Sequence, residues 1–522
     1  MNNKVMLINP PYPFEESPSP PFGLMSLAAY LEEKGFEVII EDYVVNPYSD
    51  ERVRKTIERF RPSFVGATAV TMNVNRALSI LGECRNADPG LVILLGGPHA
   101  TFDPGSILES NPHIDYIVRR EGEITTAELL ASLIKGNDIE SIKGISFRKN
   151  GTAIHAPDRP FIEDINILPY PARHLVELGK YRAIGLPVNM VTSRGCPFEC
   201  VFCVGSKMVG RRVRYFAVDR VVDEFEMLSK KGFRQINIVD DLFTSNRERC
   251  ISVCIEIIER GIDHPWTAFA RVDTVSPDLL SWMKRAGCTT LCFGIESGNQ
   301  GILNRVKKKI NLDGIKKAVD MCNGAGIVPM TSYILGLPGE TPETVRETLE
   351  LARRLSPSYG YHILAPFPGT EVREKKEEFG IRILSDDWDR YDANQSVSES
   401  VTMPGSEVDR IVGEFNGSIQ NYVRSAVEKF DRNEPLSGAD LEMVRSLKSA
   451  LFATDIISRE LVENYPGMEE GRAGSIREDF TGFVRESAGY EAGYASSQVD
   501  RLFDLECIRT VCGGGNCTLS WS

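Results

Sequence analysis

The sequence predicts an α/β protein: an open, helix-covered parallel sheet, then a partial parallel barrel, then an α-helical appendage. Three observations carry this. Short apolar runs alternate with helical stretches through residues 1–135, the alternation resumes from 187 to about 370, and strand patterns stop beyond about 400. The 522 residues suffice for about three domains at roughly 100 to 200 residues each. The expected division is a first α/β domain over 1–140, a connector over 141–186, the barrel over 187–400 and a helical region with a Cys-rich tail over 401–522.

KVMLIN (4–9) is the first strand, and a Pro-rich loop leads from it into FGLMSLAAYLEEKG, a helix closed by Gly35 as C-cap. FEVIIED (36–42), SFVGATAV (63–70), LVILLGGPHA (91–100) and DYIVRREGE (115–123) follow, for a five-stranded open sheet. Ligands of such sheets lie beyond the carboxyl ends of the strands. Asn9, Asp42, the stretch from Thr68 through Thr71 and Met72 to Asn73, the Gly96-Gly97-Pro98-His99 turn and Glu121-Gly122-Glu123 congregate there. The same residue types also serve as plain loop formers.

Residues 136–186 are polar with little periodicity and read as a connector ending in LPYPARHLVEL. The second unit then runs PVNMVTS, helix 218–231, QINIVDD, helix 246–260, TAFARV, helix 277–286, TTLCFGIES, helices 299–308 and 312–324, VPMTSYILGLPGE, helix 342–355 and YGYHILAPF. About six βα units in one run predict a parallel barrel with its active site at the carboxyl ends of the strands. Segments such as GADLEMVRSLKSALFATDIISRELVENY have helical apolar spacing, so the last region is expected to be helical.

Composition narrows the function classes. With 60 Lys+Arg against 73 Asp+Glu the net charge is -13, which argues against a general nucleic-acid binder while leaving room for one basic groove. The opening MNNKVMLINPP lacks the features of a signal peptide, and no run approaches about 18 apolar residues. A cytoplasmic protein without stable membrane insertion is expected. Twelve cysteines are too few for a disulfide scaffold, yet three fall within eight residues, so metal or redox chemistry in a reducing compartment leads.

Those three are Cys196, Cys200 and Cys203 in SRGCPFECVFC, directly after PVNMVTS. Three thiolates on one loop can hold three corners of a 4Fe-4S cubane and leave one iron open to a chelating cofactor. Zinc is the competing reading, but it favours a second Cys pair or histidines nearby, and none is close in sequence.

The motif C-x3-C-x-aromatic-C after a first barrel strand resembles the radical S-adenosylmethionine (SAM) superfamily, with Phe202 in the aromatic slot. The NPP after the first strand, PFGLMSLAAYL, LLGGPHAT, the EGE turn, LPYPAR, GIES, GLPGET and PFPGT resemble its cobalamin-binding subgroup. That subgroup includes relatives of the anaerobic Mg-protoporphyrin ester cyclase and hopanoid methylase. The resemblance implies a Rossmann-like cobalamin-binding domain, a (β/α)6 radical SAM barrel, and three cofactors: a 4Fe-4S cluster, SAM and cobalamin.

At the barrel mouth the resemblance makes Phe202, Asp240, Asp241, Arg271, Glu296, Ser297, Gly336 and Gly339 the SAM residues. Glu296 suits ribose hydroxyls, the Asp pair an ammonium and Arg271 a carboxylate. Ordinary salt bridges, a helix cap at Ser297 and a tight turn at the glycines are the alternatives. For cobalamin the expected residues are Asn9, Thr68, Thr71, Met72, Asn73, Gly96, Gly97, His99 and Glu121. Thr71 to Asn73 would approach the lower face, and His99 is either a tail contact or a surface loop residue. The D-x-H-x-x-G motif that supplies a histidine ligand to cobalt in many cobalamin proteins is absent.

Tyr361, His362 and Tyr391, with Trp388 and Arg390 nearby, lie where substrate would come in, or else pack the barrel against the tail. Cys507, Cys512 and Cys517 surround three glycines and read as an incidental tail, a second metal site or a redox pair. Cys84, Cys250, Cys254, Cys288, Cys292 and Cys322 read as buried small hydrophobes.

The implied activity is C-methylation of an unactivated carbon: SAM cleavage to a 5'-deoxyadenosyl radical, hydrogen abstraction, and methyl delivery from methylcobalamin. Radical cyclisation or carbon-carbon coupling is the alternative within enzymes, and a noncatalytic iron-sulfur or cobalamin sensor the alternative outside them. The expected partners are a small-molecule or peptide substrate and an electron donor such as flavodoxin or ferredoxin.

Overall fold

Near-continuous burial along Val5–Asn9 requires cover on both faces, the mark of a parallel strand. In the computed structural model, which describes residues 1–12, 19–469, 475–513 and 515–522, that strand is central. Strands β1 (Lys4–Asn9), β2 (Glu37–Asp42), β3 (Phe64–Thr68), β4 (Val92–Gly96) and β5 (Tyr116–Val118) pair in parallel in the order β2-β1-β3-β4-β5. Val5 and Leu7 pack on one side under the helix Phe22–Glu33, and Met6 and Ile8 on the other under Asp50–Phe60 and Val74–Ala87.

The sheet has seven strands rather than five. β6 (Ile145–Lys149) and β7 (Thr152–His155) extend it antiparallel from β5, within the stretch expected to be a connector. The sequence signal is weak because β7 is an exposed edge with no apolar face, and the hairpin turns on Asn150-Gly151, both at positive φ. Part of the Pro-rich loop after β1, residues 13–18, lies outside the described residues.

The second unit opens with β8 (Val188–Met190) and a small antiparallel pair, β9 (Ser193–Arg194) and β10 (Arg214–Tyr215). β11 (Ile236–Ile238), β12 (Trp266–Ala270), β13 (Cys288–Glu296), β14 (Val328–Leu335) and β15 (Tyr359–Ile363) follow. The order β15-β14-β13-β12-β11-β8 is all parallel, each strand beside its predecessor in the barrel. This is the expected partial (β/α)6 barrel, with helices covering its convex side.

Beyond residue 400 four helices, Gly405–Asp431, Gly438–Ser458, Ile476–Ala488 and Ala492–Asp504, form the appendage. It closes with a hairpin, Ile508–Gly513 and Asn516–Trp521, where a Cys-rich tail to the helical region was expected. Its alternation is confined to one face, Cys517, Leu519 and Trp521 being buried and Ile508 opposite them. Ile508, Leu519 and Trp521 share a core with Phe452, Ile456 and Phe480. No helix among the described residues is long and apolar enough to cross a membrane.

Candidate active site

The cysteine loop is anchored by the strand end beside it. Asp240, following β11, is buried and accepts hydrogen bonds from Thr192 N, Thr192 Oγ1 and Ser193 Oγ, each at 2.6 Å. Its carboxylate is committed to the loop leading to Cys196, so it is not available to a SAM ammonium as the sequence suggested. Asp241 points the other way, into a cavity described below, with one long bond from Gly195 N at 3.4 Å. Burial pushes both carboxyls above the usual range.

Further along, Val201 N donates to Val306 O (3.2 Å), Val372 N to Val201 O (3.0 Å), and Phe202 packs half-buried among Val201, Val306 and Leu337. Arg271 braces the loop: it pairs with both oxygens of Asp273 at 2.9 Å and donates to Lys308 O at 2.9 Å. Its guanidinium lies 3.4 Å from the Phe198 ring centroid.

Glu296, at the end of β13 with φ +71°, contacts Lys308 Nζ at 2.6 Å, and both side chains are over nine-tenths buried. Burial works against the Lys308 ammonium, but Glu296 and the neighbouring Cys200 outweigh it and hold its pKa up. Ser297 is buried, accepts from Asn299 N at 3.2 Å and meets Thr348 Oγ1 at 3.3 Å, while the following helix is capped by Asn299, whose side chain accepts from Ile302 N at 3.1 Å. Gly336 and Gly339 take positive φ in a turn whose Gly336 and Leu337 amides donate to buried Glu340 Oε2 at 2.7 and 3.0 Å.

Cys196, Cys200 and Cys203 are free thiols on this one loop. Burial raises the pKa of each, that of Cys203 to about 11, while Lys308 and Arg271 act in the opposite sense on Cys196 and Cys200. Thiols that resist ionisation in a protein environment ionise when a metal supplies the compensating charge. Among the described residues no three potential ligands converge on one point. Holding a cluster would require the three thiols to turn toward one point; Cys203 Sγ accepts from Gly205 N at 3.3 Å.

The cavity lies between the two sheets. The carboxyl ends of β3 to β5 supply Thr68, Gly96, Gly97 and Glu121, β1 and the following helix supply Leu7 and Phe22, and the barrel supplies Val191, Arg194, Val239 and Asp241. Gly97 is required here: at φ +95° a Cβ would stand 2.6 Å from Ala69 O. The missing side chain thus lets the turn pack on the chain after β3, and the Gly96-Gly97 backbone lines the cavity beside it.

Two arginines that sequence reasoning passed over hold this junction. Arg194, two residues before Cys196, pairs with Glu121 (3.1 Å) and Glu123 (2.6 Å), and Arg214 pairs with Glu121 at 2.9 Å. Burial opposes ionisation of Glu123, but Arg194 and Ser26 hold its carboxyl below the usual range. The signal was present in the complementary SRGC and EGE motifs.

Other expected residues lie elsewhere. Thr71, Met72 and Asn73 form a 3-10 turn and do not line the cavity, and Asn73 Oδ1 accepts from Val70 N at 3.0 Å. His99 is neither a surface residue nor a cavity contact: it is buried against Thr71 Oγ1 (3.2 Å) and edge-on to Trp388. Burial lowers its pKa to about 4. Asn9 is buried and donates to Asp42 Oδ1 at 2.8 Å.

On the substrate side, Tyr361 turns outward into an aromatic cluster with Tyr333, Tyr359 and Phe415 of the appendage. Tyr391 is buried, accepts from Arg373 Nη1 (3.1 Å) and donates to Ser385 O (2.8 Å). Both are buried in these contacts, and of the three only His362 is exposed. Arg390 donates to Gln395 Oε1 on the surface at 3.0 Å. In the tail, Cys507 is buried while Cys512 and Cys517 form a disulfide across the hairpin, so the three do not gather as a second metal site. Of the six expected to be buried, Cys292 alone is partly accessible.

Comparison with known proteins accords with this geometry. Residues 16–130 match the B12 binding domain family, and residues 190–352 match the Radical SAM superfamily. An uncharacterized methyltransferase of Pyrococcus horikoshii is 36% identical over 71% of this chain and 81% of its own. The anaerobic magnesium-protoporphyrin IX monomethyl ester cyclase of Rubrivivax gelatinosus is 31% identical over 77% and 74%. The chain belongs to the cobalamin-binding radical SAM family.

The fold agrees. The cobalamin-dependent S-adenosylmethionine radical enzyme OxsB superposes with a TM-score of 0.69 at 17% identity, over 96% of this chain and 83% of that one. The radical SAM methyltransferase TsrM of Kitasatospora setae gives 0.65 at 22% identity, over 74% and 79%. This member of the family is a radical SAM enzyme whose cofactors are a 4Fe-4S cluster, SAM and cobalamin.

Proposed function

We propose that this chain is a cobalamin-dependent radical SAM C-methyltransferase acting on an unactivated carbon. The observation that supports it most is the single cavity shared by the Gly96-Gly97 turn of one sheet and Val191, Val239 and Asp241 of the other, beside the cysteine loop. When bound, the cluster and SAM supply hydrogen abstraction from carbon, and cobalamin supplies the methyl group.

The chain's own residues orient and shield. Cys196, Cys200 and Cys203 ligate the cluster, with Lys308 and Arg271 favouring the anionic thiolates. Phe202, Asp241, Glu296, Gly336 and Gly339 border SAM, Asp241 being the carboxylate free to accept from its ammonium. Thr68, Gly96, Gly97 and Glu121 border cobalamin, while Val191, Val239 and Leu7 wall the cavity with apolar surface and exclude water. No histidine lines the cavity among the described residues, so the residues present would hold cobalamin without offering it an imidazole. The reductant is a one-electron donor of the flavodoxin or ferredoxin type, the substrate a small molecule or peptide, and the compartment the reducing cytoplasm.

Ring-forming cyclisation is the second reading, favoured by the 31% identity to the Rubrivivax gelatinosus cyclase. Counting methyl groups transferred per 5'-deoxyadenosine released separates the two: one methyl per turnover is expected, and turnover with no methyl incorporated would select cyclisation. A protein that cleaves no SAM under strong reductant would instead be a sensor.

A further inference from the structure

Among the described residues, the strand positions that face the concave side of the barrel below the level of Arg271, Glu296 and Lys308 hold no acidic or basic side chain except one histidine. Strand alternation decides which residues face it. On β13, Leu291, Phe293 and Ile295 are buried beneath the helices, so Cys292 projects to the concave side. By the same parity Thr267 and Phe269 project from β12, and Val328 and Met330 from β14. Thr267 Oγ1 donates to Asn237 Oδ1 at 2.8 Å, which extends the face to β11. The histidine is His362, exposed on the edge strand β15.

Phe269, Cys292 and Met330 stand in one row, since Phe269 pairs with Cys292 and Cys292 with Met330. Phe269 is 48%, Val328 48% and Met330 41% exposed. Large apolar side chains left accessible together on the inside of an otherwise covered sheet mark a binding surface. Nothing in this row can pair with a charge, and an unpaired charge is costly to bring into such a site.

We propose, resting on the radical SAM reading above, that this face takes an uncharged, largely apolar portion of the substrate against Phe269, Cys292 and Met330. His362 offers a hydrogen bond at its open edge. The substrate class is thereby a hydrocarbon- or ring-rich neutral group, not a phosphorylated or otherwise ionic one.

A matched pair of probes tests this on the anaerobic holoenzyme by equilibrium dialysis: N-phenyl-1-naphthylamine, which is neutral, and its sulfonate, 1-anilinonaphthalene-8-sulfonate. The neutral probe is expected to bind at least tenfold more tightly, and Met330→Lys to weaken it at least tenfold. Met330→Gln, which keeps the length without the charge, is expected to weaken it less, with iron and cobalamin content reporting that each variant is folded. Equal binding of the two probes, or neutral-probe binding insensitive to Met330→Lys, overturns the inference. SAM cleavage by the unaltered enzyme is measured in the same preparation. Its absence while the probes discriminate counts against the radical SAM reading alone.

Discussion

Glu296 and Lys308 meet at 2.6 Å with less than a tenth of either side chain exposed. Removing one member of such a pair strands the other's charge, at a cost of about 3–5 kcal/mol. Glu296→Gln should therefore lower the denaturation midpoint as well as SAM affinity, whereas replacing both, with Lys308→Met, should recover most of the stability. Glu340 is a different case. Buried with Oε1 unpartnered, its carboxyl is pushed up to about 8 by desolvation, against the two amides that bond Oε2. A carboxyl raised in this way favours the folded state below its unfolded pKa, and that contribution is lost as pH rises towards 8. Glu340→Gln keeps an acceptor for both amides without the ionisation, so its melting temperature relative to the parent should climb between pH 4.5 and 8 and then level off. For the cluster, replacing Cys196, Cys200 and Cys203 by alanine should abolish the iron chromophore and SAM cleavage while leaving the melting temperature nearly unchanged, because these are loop residues outside the core. Residue types were legible at this scale, but not their commitments: Asp240 and Asp241 are adjacent and alike, and the course of the backbone beyond β11 sends one into the loop and the other into the cavity.

Arg194 links two elements far apart in sequence, the cysteine loop and the turn after β5, through Glu121 and Glu123. Arg194→Ala leaves Glu123 with no cationic partner and is expected to cost about 3–5 kcal/mol, read as earlier melting and as loss of cobalamin retention with iron content less affected. The depressed pKa of Glu123 adds a pH signature: this stabilisation is present above its unfolded pKa and is lost as pH falls through the folded value. β7 was missed because an edge strand in contact with solvent needs no apolar run, and β6 because only Ile145 and Phe147 of its five residues are apolar and buried. The barrel strands were found because each must bury one side under helices.

Across the whole molecule, the short helix Leu178–Ile184 joins the domains to the tail. Tyr181 OH donates to Asp42 Oδ2 (2.6 Å), fully buried Lys180 reaches Asn46 (2.5 Å) and Glu463 (2.7 Å), and Gly179 N donates to Ser522 O (2.5 Å). A Cβ on Gly179 would stand 2.1 Å from Cys507 O, so only glycine lets the tail come this close. Deleting residues 508–522 should raise hydrogen exchange in Gly438–Ser458 and in this helix while the barrel strands stay protected. Uniform loss of protection would show instead that the hairpin supports the whole fold.

Periodicity, turn residues and three close-set cysteines are local, so the sequence by itself determined the order of the α/β units, the cluster loop and the helical character of most of the tail. What the tertiary structure decided is which face each strand-end residue takes and which charges find partners. Arg194 finds the EGE turn, Asp240 turns from ligand to anchor, Tyr361 and Tyr391 become packing, and His99 leaves the cavity. These outcomes depend on contacts between segments tens to hundreds of residues apart. A buried charge is stable only where the fold happens to bring its counterpart, and no spacing within one segment encodes that meeting.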